Sequence, residues 1–293
     1  MSEWTIGIIG GSGLYQTDAL EEAQWIAVDT PWGRPSDELL IGRIHGVKFV
    51  FLPRHGRSHR LPPSDVNARA NIDALKRAGC TDVLALSAIG SLKEELTPGT
   101  FVVADQFIDR TFARERSFFG PGVVAHVPMA DPVCPRLSDL AAGAADAAEA
   151  KVARGATYLA MEGPQLSTRA ESRLYRQWGA DVIGMTAMPE ARLAREAELP
   201  YALVGMVTDY DCWRGDGDDV DITDILSQLQ DNAATAQKLI AELATGLPKQ
   251  RLPSPIDTVL DTALITPPAG RDPALMAKLD AICGRVRSRQ EGE

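Results

Sequence analysis

Thr208-Asp209-Tyr210-Asp211-Cys212-Trp213 follows directly on the apolar run from Tyr201 to Val207 and sets two carboxylates two residues apart. On an extended segment alternate side chains share a face, so Asp209 and Asp211 are expected to look into one pocket together. An unpaired acid at a strand end is costly to desolvate, so the pair points to ligand recognition or proton transfer. Taken alone, the stretch also reads as a solvated acidic turn continuing into Asp216, Asp218 and Asp219.

Four other segments have the same form, an apolar strand that delivers small or anion-binding residues. Ile6-Gly7-Ile8-Ile9 ends in Gly10-Gly11-Ser12-Gly13, where a glycine-rich turn lets backbone N–H groups approach an anion and Ser12 adds a hydroxyl. A dinucleotide fingerprint is a poor match, because counting from Gly11 puts Gln16 where the third glycine belongs. Phe49-Val50-Phe51-Leu52-Pro53 delivers Arg54, a planar fork of donors suited to phosphate, and His55 as a second donor. A structural ion pair is the alternative there. Val83 to Ser91 carries Ser87 and Ala88, and Asp181-Val182-Ile183-Gly184 is followed by Met185 and Thr186. Five strands that end this way imply an open α/β sheet with a ligand at the strands' carboxyl ends.

The elements that must position these residues alternate from Thr5 to about Gly246, with no internal repeat. Helices are expected at about 64–78, 135–150, 168–178, 188–198 and 222–244, the last with Ile222, Ile225, Leu226 and Leu229 at helical spacing. The proline-rich stretch from Pro248 to Pro268 cannot be one helix. It reads as a wrapping tail that ends in a helix at about 272–288, so residues 1–246 form the main domain and 247–293 an extension.

With 293 residues, 45% of them hydrophobic, the chain can bury a large core. Its net charge of −10 disfavours nucleic acid and anionic membrane as partners. No leading basic-then-apolar segment or bilayer-length apolar run is present, so a soluble cytoplasmic protein is expected. Cys80, Cys134, Cys212 and Cys283 lack paired spacing and read as reduced thiols. His55 and His59 lack the Cys or acidic partners of a zinc site, and no metal is expected.

Gly10-Gly11-Ser12-Gly13-Leu14, Pro53-Arg54-His55-Gly56, Asn71 to Lys76, Asp105 to Thr111, Met161-Glu162-Gly163-Pro164, Gly184-Met185-Thr186 and Thr208 to Trp213 together resemble, in order, the motifs of 5′-methylthioadenosine phosphorylases. That family belongs to the trimeric purine nucleoside phosphorylases, and the resemblance covers about residues 5 to 245. It implies an α/β fold with a twisted, mixed central β-sheet flanked by helices. It also implies attack of phosphate on C1′ of the nucleoside, releasing adenine and 5-methylthioribose 1-phosphate without a cofactor. Carried over, Ser12, Arg54, His55, Ser87, Ala88 and Thr186 correspond to the phosphate shell. Asp209 corresponds to the acid facing N7 and Asp211 to the one facing the exocyclic amine. Met185 corresponds to a ribose contact, with Ile183, Thr208 and Leu166 also lining the substrate. His126, lent by a neighbouring subunit of a homotrimer, and Ile222, Ile225 and Leu226 correspond to the 5′ pocket.

The chemistry explains these residue types. Glycosidic cleavage builds positive charge on the sugar and negative charge on the departing purine, so it needs an anion beside C1′ and a proton donor near N7. An ordinary Asp is ionised at neutral pH, so Asp209 requires a raised pKa. A C6 amine is a donor and suits the acceptor Asp211, which favours adenine over a 6-oxopurine. The chain departs from the family at Leu166, where a Phe usually stacks on the base, at Ala68, where a Tyr is common, and at Gly184, where some members have Asn. A nucleoside-sensing module and a hydrolase that uses water remain as alternatives. The full set of phosphate and proton-transfer residues argues against both.

Overall fold

The computed structural model describes residues 3–11, 13–14, 19–214 and 222–290, without the side chains of 222–226 and 289–290. Ser12, Asp216, Asp218 and Asp219 lie outside the described residues, as do the side chains of Ile222, Ile225 and Leu226.

Among the described residues nine strands form one mixed sheet: β1 (Thr5–Gly10), β2 (Glu21–Ile26), β3 (Leu39–Ile44), β4 (Val47–Pro53), β5 (Asp82–Ser91), β6 (Thr100–Asp109), β7 (Lys151–Ala160), β8 (Val182–Gly184) and β9 (Tyr201–Asp209). Their order is β2-β3-β4-β1-β5-β8-β7-β6-β9, and β9 also pairs with β5. The last five strands therefore close on themselves, which corrects the expectation of an open sheet. Within the ring β6 and β7 pair in parallel along their length, with register shifts around Ala104, and no helix joins β5 to β6. Closure also removes two sheet edges.

Strand periodicity decides which face each residue buries. Ile6, Ile8, Phe49, Phe51, Leu84 and Leu86 point to a cluster that includes Leu137 and Ala141 of α2 (Pro135–Ala147) and Leu239, Ile240 and Leu243 of α5 (Ile222–Gly246). The intervening Ile9, Val50, Leu52, Val83 and Ala85 point the other way, into a cluster with Ile72 and Leu75 of α1 (Ala68–Arg77) and Ala191 and Leu193 of α4 (Ala187–Glu196). Two-sided burial is why these strands read as continuous apolar runs instead of alternating ones. A small third cluster joins Ile183 and Leu159 to Tyr175 of α3 (Arg169–Gln177).

The expected helices are present with trimmed ends. The first starts at Ala68 and not at 64, because Asn67 caps it by accepting from the Ala70 N–H at 3.1 Å. The expected terminal helix at 272–288 is broken into α7 (Pro273–Lys278) and α8 (Gly284–Gln290). Leu279, Ile282 and Cys283, between the two, are fully buried in the core, so tertiary packing overrides helical propensity there. A short α6 (Leu260–Ala263) precedes them and adds Leu260 to the same cluster. No described helix is long and apolar enough to cross a membrane.

Candidate functional site

Adjacent strands of the closed ring bring the sequence-selected residues together. On β5, Ser87 pairs with Gly205 and Gly90 with Asp209, while Gly90 also pairs with Ile183 of β8. Gly90 is three strand steps beyond Ser87, about 10 Å by strand rise. Polar groups cluster at both positions.

At the Gly90 end, Asp209 and Asp211 meet, although not by the expected alternation. β9 stops at Asp209, whose Oδ2 accepts from the Asp211 N–H at 2.9 Å. This turn puts Asp211 in a left-handed conformation, φ 48°. The pair therefore converges by a tight turn and not by extension. A Cβ placed on Gly90 would lie 3.2 Å from Asp209 Oδ2 and 3.4 Å from Asp211 Cβ, so glycine lets both acids close in.

Burial raises both carboxyl pKa values. At Asp209 burial outweighs the opposing hydrogen bonds from the Thr208 hydroxyl and the Asp211 N–H. At Asp211 burial is again the largest cause, opposed by the Ser172 hydroxyl and reinforced by the Asp209 charge. Thr208 Oγ lies 2.6 Å from Asp209 Oδ1 and 3.2 Å from the Ile89 carbonyl. It has one proton for two acceptors, so it can serve Asp209 when that group is ionised and turn to Ile89 when it is protonated. The hydroxyl of Thr208 thus faces inward, towards the acid it positions. Asp211 Oδ2 is buried with no hydrogen-bond partner among the described residues. A buried acceptor left open in this way suits a ligand donor.

At the other end, Ser87 Oγ and Thr186 Oγ1 are 2.8 Å apart. Thr186 sits at the start of α4 without capping it, and its side chain is therefore free of that duty. The Ala88 carbonyl accepts from Ser87 Oγ at 3.1 Å.

Arg54 and His55 arrive on β4, and their partners differ from the expectation of two open donors. The Arg54 guanidinium donates to Glu190 at 2.5 and 3.2 Å, to the Leu86 carbonyl at 3.0 Å and to the Ile9 carbonyl at 3.3 Å. Both charged side chains are nearly inaccessible, 3% and 2% exposed. Four of the five N–H groups of Arg54 are thereby engaged. His55 Nδ1 lies 2.9 Å from the Leu61 carbonyl, so this nitrogen carries the proton and donates. Burial, then the Arg54 charge, push its pKa down to about 4. His55 is therefore neutral near pH 7, and its Nε2 is able to accept a hydrogen bond where a donor was expected.

Two departures from the family pattern acquire reasons. A Cβ on Gly184 would meet the Tyr158 hydroxyl at 2.1 Å, so Tyr158 fills the space that a side chain there would need. Ala68, Arg54, Arg114, Thr186 and Glu190 line a void of about 10 Å³, room for one water, which a larger residue at 68 would occupy. Leu166 is 54% exposed.

Met185 and Ile183 stand on the β8 side of this site, Ile183 only 4% exposed. His126 is exposed, and its N–H donates to the Ala263 carbonyl at 2.8 Å, which ties its loop to α6. Among the described residues nothing joins it to the other site residues. A larger cavity of about 620 Å³ lies between Trp32, Arg69, Phe118 and Leu275, and no sequence-selected residue lines it. Among the described residues no group of His, Cys, Asp or Glu is arranged to hold a metal ion.

Sequence reasoning missed Glu190 and Glu162. Glu162 lies in the Met161-Glu162-Gly163-Pro164 motif just after β7, and Glu190 lies four residues beyond Thr186 inside α4, so closeness to selected residues was the available signal.

Comparison with known proteins gives a consistent picture. A family model described as the phosphorylase superfamily matches residues 5–245. S-methyl-5'-thioadenosine phosphorylase of Cereibacter sphaeroides is 59% identical over 96% of this chain and 98% of its own length. That of Bradyrhizobium diazoefficiens is 58% identical over 98% and 99%. Among solved structures, a methylthioadenosine phosphorylase from an Antarctic soil metagenomic library superposes with a TM-score of 0.91 at 45% identity, covering 96% of this chain and 99% of that one. Methylthioadenosine phosphorylase from Schistosoma mansoni in complex with adenine has a TM-score of 0.84 at 35% identity, covering 89% and 99%.

Proposed function

We propose that this chain, which belongs to the phosphorylase superfamily and to its S-methyl-5'-thioadenosine phosphorylase branch, cleaves 5′-methylthioadenosine with inorganic phosphate. The products are adenine and 5-methylthioribose 1-phosphate, a salvage reaction. The observation that carries this reading is the pair of buried acids at Gly90, about 10 Å along β5 from the Ser87 and Thr186 hydroxyls. That span suits a nucleoside with its base at one end and an attacking anion at the other.

In this reading Asp209, its pKa raised by burial, protonates N7 as the purine leaves. Asp211 uses its open Oδ2 to accept from the exocyclic amine. Ser87, Thr186, the Ala88 backbone and Ser12 bind phosphate. Arg54 contributes its fixed charge and remaining N–H, and neutral His55 accepts from the hydroxyl of the phosphate monohydrogen form through Nε2. Met185, Ile183 and Leu166 contact the nucleoside, and the Thr208 hydroxyl orients Asp209. Phosphate is a co-substrate, and no cofactor takes part.

The assembly is a homotrimer in which His126 of one copy joins Ile222, Ile225 and Leu226 of the next around the 5′ methylthio group. The exposure of His126 supports this role. A dry pocket should favour methylthio over hydroxyl by roughly tenfold in kcat/KM. Residues 247–293 form an extension packed on the phosphorylase domain, and the enzyme works in the cytoplasm.

Adenine release from 5′-methylthioadenosine, followed with and without phosphate, tests the reaction. The expected result is adenine and sugar phosphate in equal amounts and no release without phosphate. Equal release in phosphate-free buffer would establish a hydrolase instead. Sedimentation of the active protein tests the trimer, and a fully active monomer would contradict the shared site.

A further inference from the structure

Thr186 begins an irregular helix. Met188 has φ −114° and ψ 135°, far from helical values, so the first turn of α4 is interrupted. The carbonyls of Met185 and Met188 consequently have another donor, the guanidinium of Arg114, whose Nη1 reaches them at 2.6 and 2.8 Å. The same side chain donates to the Glu162 carbonyl at 2.6 Å and to Glu162 Oε1 at 3.1 Å. Arg114 is 5% exposed and joins three segments, its own loop, the Met161-Glu162 exit of β7 and the Met185-Met188 turn.

Glu162 holds Arg114 in place from both sides. Its Oε2 accepts from the Phe112 and Ala113 N–H groups at 2.5 and 3.1 Å, and Ser64 donates to its Oε1. These bonds outweigh burial and bring its pKa down to about 2, so the pair stays charged.

The consequence for the site follows from peptide planarity. The carbonyl and N–H of one peptide point in opposite directions, so drawing Met185 O towards Arg114 turns the Thr186 N–H the other way, where the Tyr158 hydroxyl lies at 3.4 Å. The same orientation leaves the Thr186 hydroxyl 2.8 Å from Ser87. We infer that Arg114, locked by Glu162, is a positioning residue that fixes the Met185-Thr186 peptide for phosphate binding. This inference rests on the phosphate role given above to Ser87 and Thr186. A lysine can replace it only in part, because an ammonium is a point donor and not a planar fork that spans the Met185, Met188 and Glu162 carbonyls and a carboxylate.

Steady-state kinetics of the full chain, with phosphate and nucleoside varied separately, test the inference alongside melting curves. Arg114→Gln should raise the KM for phosphate about tenfold and leave the affinity for adenine, measured without phosphate, within about twofold. Added guanidinium ion should recover part of the loss. Arg114→Lys should fall between Arg114→Gln and the native protein, and it decides the matter by the same comparison if Arg114→Gln does not fold. An unchanged phosphate KM in a folded Arg114 variant would overturn the inference. So would a loss of phosphate and adenine affinity in parallel with melting temperature, which marks a mere scaffold. Ser87→Ala and Thr186→Ala separate the two levels. If they leave the phosphate KM unchanged, the phosphate assignment and the inference fall together. If they raise it while Arg114→Lys and Arg114→Gln do not, only the positioning role falls.

Discussion

The two ends of β5 and its neighbours treat charge in opposite ways. Around Arg54, positive and negative groups are matched, with Glu190 taking two guanidinium bonds and the Ile9 and Leu86 carbonyls one each. Around Gly90, two acids share a buried corner, and among the described residues no cation pairs with them and Asp211 Oδ2 has no partner. A matched knot holds strands in register. An unmatched pair holds free energy that a ligand can release, and that is where proton chemistry belongs. The difference separates a charge fixed in place by matched bonds from a pair left open to a ligand, which residue type alone does not do.

The sharpest way to break this contrast is to remove the acid function without changing shape. Asp209→Asn should lower kcat by about two to four orders of magnitude. Its melting temperature should stay close to that of the native protein, because the lost charge was itself unfavourably buried. A large fall in stability with modest loss of rate would reverse the two roles.

Arg54→Ala should do the opposite and destabilise the fold by about 3–5 kcal/mol, because Glu190 is left charged and buried. Denaturant unfolding measures this, and the double variant Arg54→Met with Glu190→Leu should recover much of the loss. A folded Arg54→Ala protein with native stability would reduce the knot to an ordinary pair.

Gly184→Ala tests the wall between the ends. The new methyl group collides with Tyr158, a fully buried side chain, so a destabilisation of about 1–3 kcal/mol is expected. Equal stability would mean that Tyr158 can move aside.

The smallest effect concerns His55. Its folded pKa of about 4 lies below the ordinary value of 6.5, so the unfolded chain binds the extra proton between these values. Stability from this group is therefore fully present above pH 6.5 and declines as pH falls towards 4, at no more than about 1 kcal/mol per pH unit. His55→Gln should flatten that part of the stability profile, and an unchanged slope would mean that His55 is charged or exposed.

Much of this was legible in the sequence. The β-branched and aromatic runs named five strands and the residues at their exits, because two-sided burial writes itself as continuous hydrophobicity. Ser87 with Thr186 and Asp209 with Asp211 do meet. The closure of the sheet was not legible, since pairing between β5 and β9 depends on contacts far apart in sequence. Nor was the turn that joins Asp209 to Asp211, because φ 48° at an aspartate follows from one hydrogen bond and not from periodicity. The partner of Arg54 was not legible either, because Glu190 lies 136 positions away. The split between α7 and α8 had the same origin, in core packing of Leu279 and Ile282.

The pH dependence of kcat/KM for the native protein and for Asp209→Asn tests the central claim most directly. If buried Asp209 is the acid, activity requires its protonated form and is lost as pH rises through its raised pKa. Asp209→Asn should lose both that limb of the profile and most of the rate. A variant that keeps more than about a tenth of the activity, within ~1.4 kcal/mol of native, together with the native profile would contradict the assignment.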